Sequence, residues 1–173
     1  MIERLILLSE NRSLRFFLVG ILFLAVQTTI VNDMRPFGVS LELMLLVAVS
    51  AGLAGGQATG IVGGFAAGLL YDMVLTTPLG LCAGVFGIVG YLAGYVHAFV
   101  HRPTWWSRLA MGATASFVGV VLVPLAATFT GSEGVLTSRV PFIGLVVALS
   151  NTLLCLPTER VCRWALVPRT AVV

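Results

Sequence analysis

Asp72 is a carboxylate set deep inside an apolar run, Ala58–Leu75. A charge at such a place is costly and needs a partner or a task. Three tasks fit. Asp72 pairs with a cationic or hydroxyl group on a neighbouring helix. Alternatively it orders the turn Thr76–Gly80, whose first residue lies four positions on and on the same helix face. Or it relays a proton or a substrate, although relays are usually built from several ionisable groups. Glu42 stands near the start of another apolar run, at interface depth. His97 and His101 are four apart and share a helix face, but no Cys, Asp or Glu lies within one turn to complete a metal site. No metal is expected, and both histidines are assigned to the interface. Cys82, Cys155 and Cys162 have no ligand spacing and read as small apolar filler.

The sequence contains no G-x-S-x-G elbow, no H-E-x-x-H and no phosphate-binding G-x-x-x-x-G-K. An enzyme acting on lipid-linked substrates would need clustered acid–base residues near an interface, and these are lacking. The expectation is a protein without catalytic activity and without a cofactor.

The second pattern is steric. Gly60, Gly64 and Gly68 recur every fourth residue ahead of Asp72, and Gly80, Gly84, Gly87, Gly90 and Gly94 follow the polar break Thr76-Thr77-Pro78. At this spacing small residues stack on one helix face and let a second helix approach closely. That neighbour belongs to the same chain or to a partner protein, and a groove lined by glycine can serve both. Pro78 suits the first turn of the next helix.

The elements that position these residues are apolar helices. Of 173 residues 58% are hydrophobic and 10% charged, and the mean hydropathy is +1.05. Soluble domains carry about 25% charged residues, so the bilayer is part of the solvent. The fold class is an all-α integral membrane protein, one transmembrane domain over residues 1–173. Six spans are predicted, at about 14–31, 39–54, 58–75, 79–100, 105–129 and 140–156. A hydrocarbon core takes roughly 20 helical residues, which makes 39–54 short. Ser13 is the expected cap of the first span, and Gln27, Thr28 and Thr29 at its far end meet headgroups or another helix. Gly55-Gly56-Gln57 is a tight turn. Trp105 and Trp106 anchor at the interface. Pro124 kinks or shortens the fifth span, and Pro157 breaks the sixth, leaving 157–173 as a cytoplasmic tail with a short interfacial helix. The segment after the first span has no small-x-small cleavage site, so that span is expected to remain as an anchor.

The basic residues are ten arginines, with no lysine. With six spans, Arg4, Arg12, Arg15, Arg102, Arg108, Arg160, Arg163 and Arg169 fall on one side and Arg35 and Arg139 on the other. The positive-inside rule then places both termini in the cytoplasm. No basic patch is interleaved with aromatics, so nucleic acid is not an expected partner.

The run Gly64-Phe65-x-x-Gly68-Leu69-Leu70-x-Asp72, then Thr77-Pro78-Leu79-Gly80-Leu81, then Gly90-Tyr91-Leu92, resembles the family of rod shape-determining protein MreD. The matching positions are Asp72, Leu79, Gly80, Tyr91 and Leu92, with Arg35-Pro36 and Asn151 as weaker features; the absence of Lys is a departure. The resemblance implies a six-helix protein of the bacterial cytoplasmic membrane, similar in architecture to the substrate-binding subunits of energy-coupling-factor vitamin transporters. It implies a non-enzymatic scaffold of the cell-elongation complex, beside MreC, the MreB filament, the RodA glycosyltransferase and a class B penicillin-binding protein. Candidate packing and partner residues are Gly60, Gly64, Gly68, Asp72, Pro78, Leu79, Gly80 and Tyr91. The alternative carried by the architectural likeness is a small-solute binding subunit, whose pocket would draw on Gln27, Asp72, Asn151 and scattered Thr.

Overall fold

The computed structural model describes residues 11–31, 38–75, 78–100, 104–131 and 139–166. Arg4, Arg35-Pro36, Thr76, Thr77, His101, Arg102 and Arg169 lie outside the described residues, as does most of the loop before the last span. The described chain is all-helical: α1 (Arg12–Val26), α2 (Leu43–Asp72), α3 (Leu81–Phe99), α4 (Trp105–Phe129) and α5 (Val140–Leu166). All five are long and apolar enough to cross a membrane, α1 together with the π-helical turn Gln27–Val31 that extends it. The chain is thus a multi-pass membrane protein by length and composition of its helices.

Five helices stand where six are predicted. The residues of the two predicted spans 39–54 and 58–75 form α2, and the backbone of α2 leaves helical geometry at Gly56 (φ 80°, ψ −171°). In a straight helix positions 52 and 60 would be about 12 Å apart. Here the Cα of Gly52 lies 2.9 Å from where a Cβ on Gly60 would stand, and Ala51 and Gly63 meet in the same way. The chain therefore doubles back at Gly56, a conformation that L side chains rarely adopt. Its two arms, 43–55 and 57–72, pack antiparallel.

The first arm is the centre of the bundle. Every side chain from Met44 to Val49 is fully buried. A helix apolar on all faces is a core element, and α3, α4 and α5 each meet it, at Gly52, Leu45 and Val47. Surrounded by protein, this arm need not match the hydrocarbon thickness, which accounts for its shortness. The most extensive interface in the molecule joins α2 to α3.

Two expectations about helix ends are corrected. Asn11, not Ser13, caps α1: its Oδ1 accepts from the Ser13 N–H at 3.1 Å. And α5 does not stop at Pro157 but runs on to Leu166. Pro157 and Leu153, the residues on either side of the hydrogen bond that proline removes, face outward. Beyond Pro157, the buried Thr158, Glu159, Cys162 and Ala165 return to the core. In a bilayer, unwinding would strip more backbone of its partners than one proline does. Pro124 likewise leaves α4 helical as far as Phe129.

Contacts place one set of ends together. Arg15 donates to the Trp164 carbonyl at 3.2 Å, with its guanidinium 5.5 Å from that indole ring. Arg108 pairs with Glu159 at 3.1 Å, and Arg163 pairs with the same carboxylate. A Cβ on Gly94 would meet the Gly56–Gln57 backbone. The start of α1, the Gly56 reversal, the end of α3, the start of α4 and the end of α5 thus share the arginine-rich end.

Candidate functional site

At the opposite end Asp72 is the last residue of α2 and only 1% exposed. Its carboxylate closes the start of α3. Oδ2 accepts from Gly80 N–H at 2.9 Å and Ala83 N–H at 3.1 Å, and Oδ1 accepts from Cys82 N–H at 3.1 Å. The remaining early donor, Leu81 N–H, goes to the Pro78 carbonyl at 3.2 Å, and Gly84 N–H begins the helical ladder. Every donor that a helix start leaves open is thereby satisfied.

This cap is borrowed. The N-cap of α3 is Gly80, at φ 97°, which has no side chain to offer. A carboxylate at a helix N-terminus also meets the positive end of its dipole, and charge-assisted hydrogen bonds are the strong ones. At the C-terminal end of its own helix the same charge is unfavourable, so its placement serves the neighbour. Of the three tasks considered for Asp72, the structure selects the ordering of the turn, through backbone amides of Gly80, Cys82 and Ala83; Thr76 lies outside the described residues. Among the described residues its bonds are all to backbone amides, with no cationic or hydroxyl partner.

Gln27 repeats the device. It is 5% exposed, and its Oε1 accepts from Met44 N–H at 2.8 Å, at the start of α2 where Glu42 supplies no side-chain cap. The expectation of headgroups or another helix resolves as another helix. Thr28 and Thr29 instead bond to carbonyls of their own helix. Asn151 is fully buried and its Nδ2 donates to Ser116 Oγ at 3.1 Å and to the Glu42 carbonyl at 3.3 Å, joining α5, α4 and the start of α2. Sequence reasoning placed Asp72 at its turn but did not find the Gln27 cap on Met44 or the Asn151 bonds, because each joins residues far apart in the chain. The one signal available was an uncharged polar residue at the end of an apolar run, followed by a helix start with no capping side chain.

Gln27→Leu is expected to leave the Met44 N–H buried and unpaired, lowering stability by about 1–3 kcal/mol. Thermal unfolding in detergent measures it, and faster hydrogen exchange at Met44 identifies the cause.

The glycines form the second half of the site. Gly60, Gly64 and Gly68 are buried and face α3. A Cβ on Gly64 would lie 2.8 Å from the Phe86 carbonyl carbon and 3.1 Å from the Gly87 Cα. One on Gly68 would lie 2.6 Å from Ala83 N, and one on Gly60 would lie 2.7 Å from the Gly90 carbonyl carbon. Gly52, on the first arm, abuts Gly90 and Gly94 as well. Three segments of backbone therefore converge where Gly52, Gly60 and Gly90 meet. The stripe is consumed within the chain. By contrast, Pro78, Leu79, Gly80, Gly84 and Tyr91 lie on the outside, and a Cβ on Gly84 would meet nothing within 4 Å. Tyr91 stacks on Tyr95, which meets Phe99 edge-on.

The cysteines are buried and unbridged, with the Cys155 thiol directed at the Arg108 carbonyl and the Cys162 thiol at that of Val47. Among the described residues no group of three or more His, Cys, Asp or Glu stands together as metal ligands would. A cavity between α1 and the second arm of α2 is lined by neither Gln27, Asp72 nor Asn151.

A family model described as rod shape-determining protein MreD matches residues 11–164. No curated protein and no solved structure matches the chain.

Proposed function

The chain belongs to the rod shape-determining protein MreD family, and from that premise we propose that it serves rod shape determination as a membrane scaffold without turnover of substrate. Its helices would dock partner helices of the cell-elongation complex and so support peptidoglycan synthesis along the lateral wall. The partners proposed are MreC, RodA with its class B penicillin-binding protein, and the MreB filament directly or through them.

The observation that carries this reading is the division of labour among the glycines. Gly60, Gly64, Gly68, Gly90 and Gly94 are spent on internal packing, and the buried polar side chains Gln27, Asp72 and Asn151 bond to backbone of neighbouring helices. What remains open is an outer face of α3: the glycines Gly80 and Gly84, then Ile88, Tyr91 and Tyr95, with Leu79 (74% exposed) at its edge. In lipid, helices associate by close van der Waals packing at small residues, and this face offers such a notch between large apolar side chains.

We also propose six crossings of the bacterial cytoplasmic membrane with both termini in the cytoplasm. The reversal at Gly56 and the grouping of Arg15, Arg108 and Arg163 at one end of the bundle support it.

The experiment separates folding from docking. Gly84→Leu faces open space, so the protein should be recovered in normal amount and unfold at its usual temperature. MreC co-purified with it should fall at least tenfold. Photo-crosslinkers at Leu79, Ile88 and Tyr95 should capture partner protein, whereas those at Leu145, Leu149 and Leu153 on α5 should capture mainly lipid. Undiminished recovery of MreC with Gly84→Leu, or equal capture from both faces, would overturn the assignment.

A further inference from the structure

Between α1 and the second arm of α2 runs a groove of about 510 Å³, within the roughly 300–1,000 Å³ typical of ligand sites. Its chemistry changes along its length. Arg12, Ser13 and Thr59 stand at the arginine-rich end, and Phe17, Val62 and Leu70 line the rest. Gly63 and Ala67, buried in its floor, give it depth. Among the described residues no acidic one lines it. The nearby Arg15 is engaged by Trp164, and the two ion pairs among the described residues, Arg108–Glu159 and Arg163–Glu159, leave Arg12 out. Arg12 is exposed, and Ser13 and Thr59 line the same groove.

We propose that this groove binds an anionic glycerophospholipid, its phosphate on Arg12, Ser13 and Thr59 and one acyl chain along Phe17, Val62 and Leu70. A cation and two hydroxyls above an apolar channel match an anionic headgroup above a hydrocarbon chain, and basic pockets between membrane helices take such headgroups. The site lies on a different side of the second arm from the α3 interface, since Gly63 packs toward Phe16 and Ala51 while Gly60, Gly64 and Gly68 face α3. It is independent of the docking face on α3 and of the scaffold reading.

The test uses the full chain, delipidated in neutral detergent and then offered equimolar phosphatidylglycerol and phosphatidylcholine of the same chain length. Lipid retained after gel filtration is quantified by mass spectrometry. One basic residue near an anionic surface contributes about 1 kcal/mol, so the wild type should retain phosphatidylglycerol about fivefold over phosphatidylcholine. Arg12→Gln, a surface change, should bring that ratio close to one while total lipid stays. Val62→Trp, at a position 69% exposed, should obstruct the channel and lower both lipids. Equal retention of the two lipids by the wild type would overturn the proposal. So would a preference undiminished in Arg12→Gln, or capture of a protein rather than lipid by a crosslinker at Val62 in cells.

Discussion

Gly64→Leu and Gly68→Leu are expected to abolish the folded bundle. Each glycine presents its Cα to the backbone of α3, at Phe86 and Gly87 or at Cys82 and Ala83. Most overpacked positions find relief when a neighbouring side chain moves. Here the first obstacle is main chain, whose movement would separate the two helices along their whole contact. Overpacking a tight core costs about 1–3 kcal/mol even where side chains can yield, so a backbone clash at the largest interface should reach about 3 kcal/mol or more. Membrane helices gain little from hydrophobic transfer against each other and associate through such packing. Few other contacts can replace it. The expected outcome is loss of monodisperse protein on gel filtration, with any residual material unfolding well below the wild type. Gly84→Leu is the internal control, since it adds the same side chain to α3 where there is open space. Comparable folded yields for Gly64→Leu, Gly68→Leu and Gly84→Leu would remove the steric argument.

Asp72→Leu carries the second large effect. It removes the acceptor for three amides at the start of α3, the buried ones of Cys82 and Ala83 and the part-buried one of Gly80. Each buried donor without a partner costs about 1–3 kcal/mol, and partial relaxation brings the total to about 3–5 kcal/mol. The Cys82 and Ala83 amides are buried, so water cannot readily make good their loss. Asp72→Asn keeps one acceptor oxygen and loses the charge, turning an amide NH₂ toward a backbone donor. Its cost should fall between wild type and Asp72→Leu. The measurements are thermal unfolding for the whole molecule and hydrogen exchange for the site. Protection should be lost at Gly80, Cys82 and Ala83 in the order wild type, Asn, Leu, before the rest of α3 is affected. A relay role would leave exchange at those amides unchanged in Asp72→Asn, and this result would exclude the cap as the reason for the carboxylate.

The same two features show how far sequence reasoning reaches. Glycines at 60, 64 and 68 announced a close approach on one helix face, because that inference needs only the helical period. It could not say which helix approached. The partner, α3, is set by the antiparallel fold at Gly56 and the cap at Asp72, both of which involve three-dimensional proximity. Pro157 misled for a related reason. The rule that proline ends a helix weighs one lost hydrogen bond and a ring clash; it does not weigh the buried Thr158, Glu159, Cys162 and Ala165 beyond it. Asn11 and Ser13 are both acceptable capping residues by type, and the backbone path alone distinguishes them.

Composition by itself determined that this protein lives in a bilayer. The length of its apolar runs determined roughly where its helices lie, and the run from Gly64 to Leu92 pointed to its family, because all of these are local properties of a chain in an apolar solvent. Only the tertiary structure decided that the short 43–55 arm is the centre of the bundle and that the glycine stripe is spent inside it. Only the tertiary structure decided that Asp72 and Gln27 complete the starts of helices other than their own. The physical reason is one constraint: with no water to bond to, each open backbone amide must find its acceptor within the protein, and where that acceptor sits depends on how the helices are brought together.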